Sequence, residues 1–185
     1  MTAPTLGTLD LQPFREQPEL LAPPVRDLLS VHDALAASAY VCAIDPDLAD
    51  TAALTAAHAL PETASANCVV VLGRRGEDER LAACVALADR RVDVNKAVRK
   101  RLDVRKVSFA PQERAVGETG MEYGGITPVG VPSSWPVLVD SRVVEQDWVI
   151  LGSGLRRSKL ILPGASVAQL PGAEVGEYAA MVPAS

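Results

Sequence analysis

Residues 121–132 read Met-Glu-Tyr-Gly-Gly-Ile-Thr-Pro-Val-Gly-Val-Pro, with three glycines and two prolines in twelve residues. Neither a helix nor a strand ladder passes easily through such a stretch. Glycine is costly to order and opens positive φ, while proline fixes φ and removes a donor. The segment is expected to form a rigid, irregular loop with exposed backbone amides. It does not read as a linker, because apolar runs at 136–140, 148–151 and 159–162 resume at once and must pack against what precedes them.

The remaining elements are read from apolar period and turn chemistry. Residues 1–12 carry Pro4 and Gly7 without helical period and read as a mobile tail. After Pro23-Pro24, Val25, Leu28, Leu29, His32 and Leu35 recur at helical spacing, which predicts one amphipathic helix ending near Ser38. His32 would lie on its apolar stripe as a structural or interface histidine. A short strand over 40–44 is stopped by Asp45-Pro46-Asp47, and Asp50 heads a capped helix to Leu60 with His58 in its last turn. Apolar runs at 68–72 and 81–87 flank the charged separator Gly73-Arg74-Arg75-Gly76-Glu77-Asp78, predicting a long-looped hairpin buried on both faces. Asp93 heads a helix over 95–102, followed by a strand over 104–109 and a short helix over 111–116. A helix near 165–170 and a strand near 173–175 end the pattern. The fold class is α+β, a mixed central β-sheet of about six to eight strands with peripheral helices. The chain divides into 1–38, a tail and helix, and 39–180, the main domain.

Composition excludes several functions. No apolar run approaches the ~20 residues of a membrane helix, and the first residues lack the basic start and apolar stretch of a signal peptide, so a cytoplasmic protein is expected. Cys42, Cys68 and Cys84 lack CxxC spacing and the chain has only two histidines, which disfavours a disulfide scaffold and a zinc site. The formal net charge of −5 conceals an uneven distribution. Residues 1–63 hold nine acids and two bases, a local net of −7, whereas residues 90–106 hold eight bases and two acids, a local net of +6. The basic segment is either a solvated helix face or a patch that meets phosphate.

No familiar catalytic constellation is complete. Neither histidine sits in a strand-end or Gly-rich setting that suggests a nucleophilic triad, and no phosphate-binding glycine motif links a strand to a helix. Gly152-Ser153-Gly154 joins two strand candidates and reads as a tight β-turn.

Taken in order, Asp50-Thr51-Ala52-Ala53, Ser65-Ala66-Asn67-Cys68, the basic stretch from Asn95 to Val107, Thr119-Gly120, Gly124-Gly125-Ile126-Thr127-Pro128-Val129-Gly130, Leu138-Val139-Asp140, Gly152-Ser153-Gly154 and Lys159 form a recognisable set. Over residues 30–178 it resembles the YbaK/prolyl-tRNA synthetase-associated domain family, whose members are similar to the editing domain of bacterial prolyl-tRNA synthetases. The resemblance implies a trans-editing aminoacyl-tRNA deacylase that hydrolyses the ester of mischarged tRNA. Backbone amides of a glycine and proline loop would stabilise the oxyanion there. It implies a catalytic set of Asn67, Gly124, Gly125 and Thr127, with Pro128, Asp140, Ser153, Gly154 and Lys159 contacting substrate. Lys96, Arg99, Lys100, Arg101, Arg156 and Arg157 would contact tRNA. Tyr123 and Trp135 are the aromatic candidates for stacking on the terminal adenine.

No metal or organic cofactor is implied. Expected partners are mischarged tRNA and a synthetase, not a membrane. Asn67 departs from the family pattern, standing where many deacylases carry lysine, and supplies a donor without charge. Two other readings remain: a non-catalytic module binding tRNA or an aminoacyl or nucleotide ligand, and an interaction domain whose N-terminal helix forms a homodimer or docks on a synthetase.

Overall fold

The computed structural model describes residues 3–181. Its elements run β1 (Gln12–Pro13), α1 (Pro23–Val31), α2 (Asp33–Ala36), β2 (Tyr40–Ala43), α3 (Thr51–His58), β3 (Ala66–Arg75) and β4 (Asp78–Leu87). They continue through β5 (Arg90–Val92), α4 (Arg99–Leu102), β6 (Lys106–Phe109), α5 (Gln112–Thr119), β7 (Val137–Asp140) and α6 (Ser141–Val144). The last are β8 (Val149–Gly152), β9 (Ser158–Leu162), α7 (Gly164–Val167), β10 (Ala173–Gly176) and β11 (Ala179–Met181).

The architecture is mixed α+β, as expected, with its strands shared among sheets. One sheet has the order β10-β7-β4-β3-β6, with parallel pairs at β4–β7 and β7–β10 and antiparallel pairs at β3–β4 and β3–β6. A second, antiparallel throughout, has the order β1-β2-β9-β8, and a small third sheet pairs β5 with β11. A parallel bridge from Ser65 to Ile150 connects the entry to β3 with β8.

The long hairpin follows from its two-sided burial. Ala83, Val85 and Leu87 of β4 enter an apolar cluster with Val137, Val139, Leu151 and Leu160, while Ala82 and Cys84 on the opposite face pack with Val71, Val98 and Leu102. Strands covered on both faces read as continuous apolar runs, and that pattern identified them. The separator is not a long loop, however. Pairing continues to Arg74↔Glu79 and Arg75↔Asp78, and the chain reverses at Gly76-Glu77. The Arg74–Glu79 pair, 2.9 Å apart, puts opposite charges directly across the ladder, so a charged strand tip pairs in water without an apolar face.

The N-terminal segment differs most from expectation. Residues 3–12 are not a loose tail: Leu6, Leu9 and Leu11 pack against the cluster containing Tyr40, Ile44, Leu54 and Ile161. The expected single helix is two helices broken at His32, whose φ of −118° and ψ of 83° are not helical. His32 is exposed and off the buried stripe, while Val25, Leu29, Leu35 and Ala36 face the core. The apolar face that suggested a homodimer or synthetase contact is therefore consumed inside the same cluster as Val139 and Leu151.

Local capping fits the sequence reading elsewhere. Asp50 accepts from the Ala52 and Ala53 amides at the start of α3, and Asp93 accepts from the Lys96 amide at a wide helical turn over Val94–Val98. His58 ends α3, with Nδ1 2.9 Å from the Thr8 hydroxyl.

Asp140 is 1% exposed at the end of β7. One carboxylate oxygen accepts from the Arg142 amide at the start of α6, and the other accepts from the amides of Tyr178 and Ala179 at 3.0 and 2.8 Å. Asp140→Ala leaves these donors without their acceptor and is expected to lower the unfolding free energy by about 2–4 kcal/mol in urea titration. Asp140→Asn, which keeps one acceptor, should lose about half as much. A loss under about 0.5 kcal/mol for the alanine variant would contradict this role.

Candidate active site

Two loops face each other because their glycines let backbone approach backbone. Residues 121–130 lie against the chain leaving β8, where the Gly154 amide donates to the Gly125 carbonyl over 2.8 Å. A Cβ on Gly125 would lie 2.6 Å from the Leu155 carbonyl, and one on Gly152 would collide with the Gly125 and Ile126 carbonyls. Gly152-Ser153-Gly154 is thus not a tight β-turn. The β8–β9 register pairs Gly152 with Lys159, leaving a longer connection whose backbone Ser153 holds together. Its buried hydroxyl lies 2.8 Å from that of Ser158 and accepts from the Leu155 amide.

These loops form one wall of a cleft of about 700 Å³. Tyr123, Gly124, Ile126, Gly152 and Arg156 line that wall, with the start of β3 from Ala66 to Val70 as the floor and Asp47, Ala49, Asp50 and Thr51 opposite. Phe109, Ala110 and Gln112 lie at its edge. The Arg156 guanidinium donates to the Pro46 carbonyl at 3.1 Å and to the Tyr123 carbonyl at 3.5 Å, joining the two sides. At the floor, the Thr51 hydroxyl donates to Asn67 Oδ1 over 2.7 Å.

Behind this wall, Lys159 is 7% exposed and its ammonium donates to the Ala49 carbonyl at 2.8 Å. Burial is the leading cause holding its pKa below the usual lysine range; Cys42 and Asp50 oppose the shift and Arg156 adds to it. Lys159 thereby fixes the strand of backbone that leads into Asp50 and Thr51.

Of the residues implicated from sequence, Asn67, Gly124 and Arg156 line the cleft. Gly125, Ser153, Gly154 and Lys159 lie behind the lining, where they shape it. Thr127 and Pro128 are buried in the loop, and the Thr127 hydroxyl meets no partner among the described residues. Asp140 lies outside the lining, bound to backbone as described above. Lys96, Arg99 and Lys100 are exposed and, among the described residues, form no ion pair. Arg101 is bound to Glu174 through two guanidinium nitrogens, and Arg157 donates to the Glu19 carbonyl at 2.7 Å. Trp135 is 5% exposed and belongs to the core, whereas Tyr123 is 57% exposed at the cleft.

Sequence reasoning missed Thr51 and Phe109. Thr51 had a signal in its Asp-Thr-Ala-Ala segment, but nothing in one dimension connects it with Asn67, sixteen residues away. A second concavity, of about 680 Å³, is lined by Arg80, Arg101, Arg114 and their acidic neighbours. Its arginines already bind Leu102, Glu174, Glu79 and Glu118, leaving the cleft as the better candidate.

The fold and site together define a class: an α+β domain with a cleft walled by two interlocked glycine loops. Solved structures share the fold. One of a candidate trans-editing enzyme for prolyl tRNA synthetase superposes with a TM-score of 0.69 at 18% identity, covering 85% of this chain and 98% of that one. A hypothetical protein gives 0.67 at 21% identity, covering 76% of this chain and 90% of the other. A larger candidate signal transduction protein from Marinobacter aquaeolei VT8 gives 0.55 at 22% identity over 84% of this chain, but only 30% of its own. Residues 45–170 match the aminoacyl-tRNA editing domain, and the chain belongs to that family. Aminoacyl-tRNA editing is accordingly its general function. Among the described residues, no helix is long and apolar enough to cross a membrane and no cluster of His, Cys, Asp and Glu could hold a metal ion.

The cleft also contains Cys68. Burial pushes the Cys42 thiol up to about 11 and the Cys84 thiol up to about 12, and it raises Cys68 as well, so all three are protonated at neutral pH. An aromatic disulfide reagent at pH 7.5 should label the native protein roughly 10²-fold more slowly than a free thiol. It should label all three cysteines once the chain is unfolded. Native labelling of Cys68 at the free-thiol rate would show that burial does not raise its pKa.

Proposed function

We propose that the protein acts in trans, in the cytoplasm, as a deacylase of mischarged tRNA. The observation that carries this reading is the Thr51–Asn67 hydrogen bond on the cleft floor. Because Thr51 occupies Oδ1, the carboxamide is oriented by that bond and its Nδ2 donors remain for a ligand. Gly124 and Ile126 also line the cleft, and among the described residues their amides meet no backbone acceptor.

In this mechanism, fixed neutral donors from Asn67 and the loop backbone stabilise the ester carbonyl oxygen as it becomes an oxyanion. Water adds to the carbonyl carbon and the bond to the ribose oxygen breaks. The neighbouring ribose hydroxyl relays the water's proton to that leaving oxygen, giving free amino acid and uncharged tRNA. Asp47 and Asp50 put negative charge on the opposite wall, where the α-ammonium of the aminoacyl group is favoured. The exposed Lys96, Arg99 and Lys100 supply attraction for phosphate. A second reading, binding without hydrolysis, is favoured by Asn67 itself, which brings no positive charge to the position where many family deacylases carry lysine.

A panel of mischarged tRNAs incubated with the purified protein separates these readings by release of amino acid. Release above the buffer rate from at least one pair is expected. Asn67→Ala should lower kcat/KM roughly 10²-fold, the scale of losing one oxyanion donor. Thr51→Val should lower it about tenfold, with Thr51→Ser close to the unchanged protein because it keeps the hydroxyl. If no pair is hydrolysed and Asn67→Lys restores nothing, the deacylase reading fails.

A further inference from the structure

Phe109 is 56% exposed, unusual for a phenylalanine, and it lines the edge of the cleft. It ends β6, the edge strand of the five-stranded sheet, and pairs directly with Val71 of β3. Directly paired residues project to the same face of a sheet. Val71 packs with Val98 and Leu102, the inward residues of the basic segment, and Val107 joins the same cluster. Phe109 is thus on the sheet face that carries the basic segment, and it also lines the cleft edge. Lys96, Arg99 and Lys100 lie on the exposed side of the same segment, free of ion pairs among the described residues.

A flat apolar ring at a cleft edge, on a sheet face that also carries cations without ion pairs among the described residues, suits one kind of occupant. Single-stranded nucleic acid presents phosphates to the cations and base faces to the ring, and stacking of this kind contributes about 1–3 kcal/mol per base. We propose that Phe109 is the stacking platform for an unpaired base of the tRNA 3′ end, which enters the cleft past Phe109 while the paired stem behind it lies along Lys96, Arg99 and Lys100. This rests on the editing reading above and adds the direction from which the RNA arrives. Tyr123, exposed on the facing wall, is available to the terminal base beyond it.

The test uses the full-length protein and uncharged tRNA, either intact or trimmed of its unpaired 3′-terminal nucleotides, with binding followed by fluorescence anisotropy over a salt series. Intact tRNA should bind roughly tenfold more tightly than trimmed tRNA, one stacked base being sufficient for that ratio. Phe109→Ala should abolish the preference without changing the salt slope, and Phe109→Trp should keep it. Replacing Lys96, Arg99 and Lys100 by glutamine should weaken both RNAs alike and reduce the slope by about 2. A preference for intact tRNA that survives Phe109→Ala, in a variant with an unchanged melting curve, overturns the platform. No binding of either RNA at low salt overturns both the platform and the tRNA reading. A Phe109-dependent preference without amino-acid release from any mischarged tRNA supports the platform and removes only the hydrolysis.

Discussion

The Gly154 amide reaches the Gly125 carbonyl over 2.8 Å, and the cleft wall depends on that approach. Two irregular chain segments can pack at backbone distance only where neither carries a Cβ, and Gly125 and Gly152 both meet neighbouring backbone where one would be. Closing the loops on each other leaves the inner backbone groups satisfied and Gly124 and Ile126 at the cleft. The N-terminal segment braces the arrangement from behind. The Ala22 amide donates to the Ser153 carbonyl at 3.0 Å, and Ser158 donates to the Leu20 carbonyl at 2.6 Å. Residues 14–36 are therefore part of what holds the site, although they precede the matched region.

The opposite wall is held by a different device. Lys159, buried in β9, binds the Ala49 carbonyl; Asp50 then caps α3, and Thr51 reaches Asn67. A buried ammonium is costly unless it is well hydrogen-bonded, so its position behind the wall is tightly specified. The Asn67 carboxamide is oriented by Thr51 of the cleft wall, whose backbone is held from behind by Lys159. This arrangement suits chemistry by fixed dipoles, which need no reorganisation as charge develops.

Much of the scaffold was legible because local signals and tertiary packing agree there. The runs of β3 and β4, the Asp50 and Asp93 caps and the irregular loop at 121–132 each follow from nearest-neighbour chemistry. Legibility failed where partners were remote. The helical period across His32 continues in sequence, but the backbone turns there so that Leu35 and Ala36 also reach the core. Leu6, Leu9 and Leu11 are too sparse to show a period, and the apolar surface they cover is assembled from β2, α3, β8 and β9. Gly152-Ser153-Gly154 looked like a turn between strands because nothing local reveals that Gly125 packs against it.

The sequence by itself determined the α+β class, the central hairpin, the glycine loop and the uneven charge. All depend on residue type and short spacing, which fix backbone preference and which faces avoid water. Tertiary structure alone decided which polar groups meet. Thr51 and Asn67, Lys159 and Ala49, and Asp140 and Tyr178 are pairs separated in the chain, brought together by sheet order and by the closing of one loop on another. Hydrogen bonds act over about 3 Å, so their partners follow from the packed fold and not from the order of the residues.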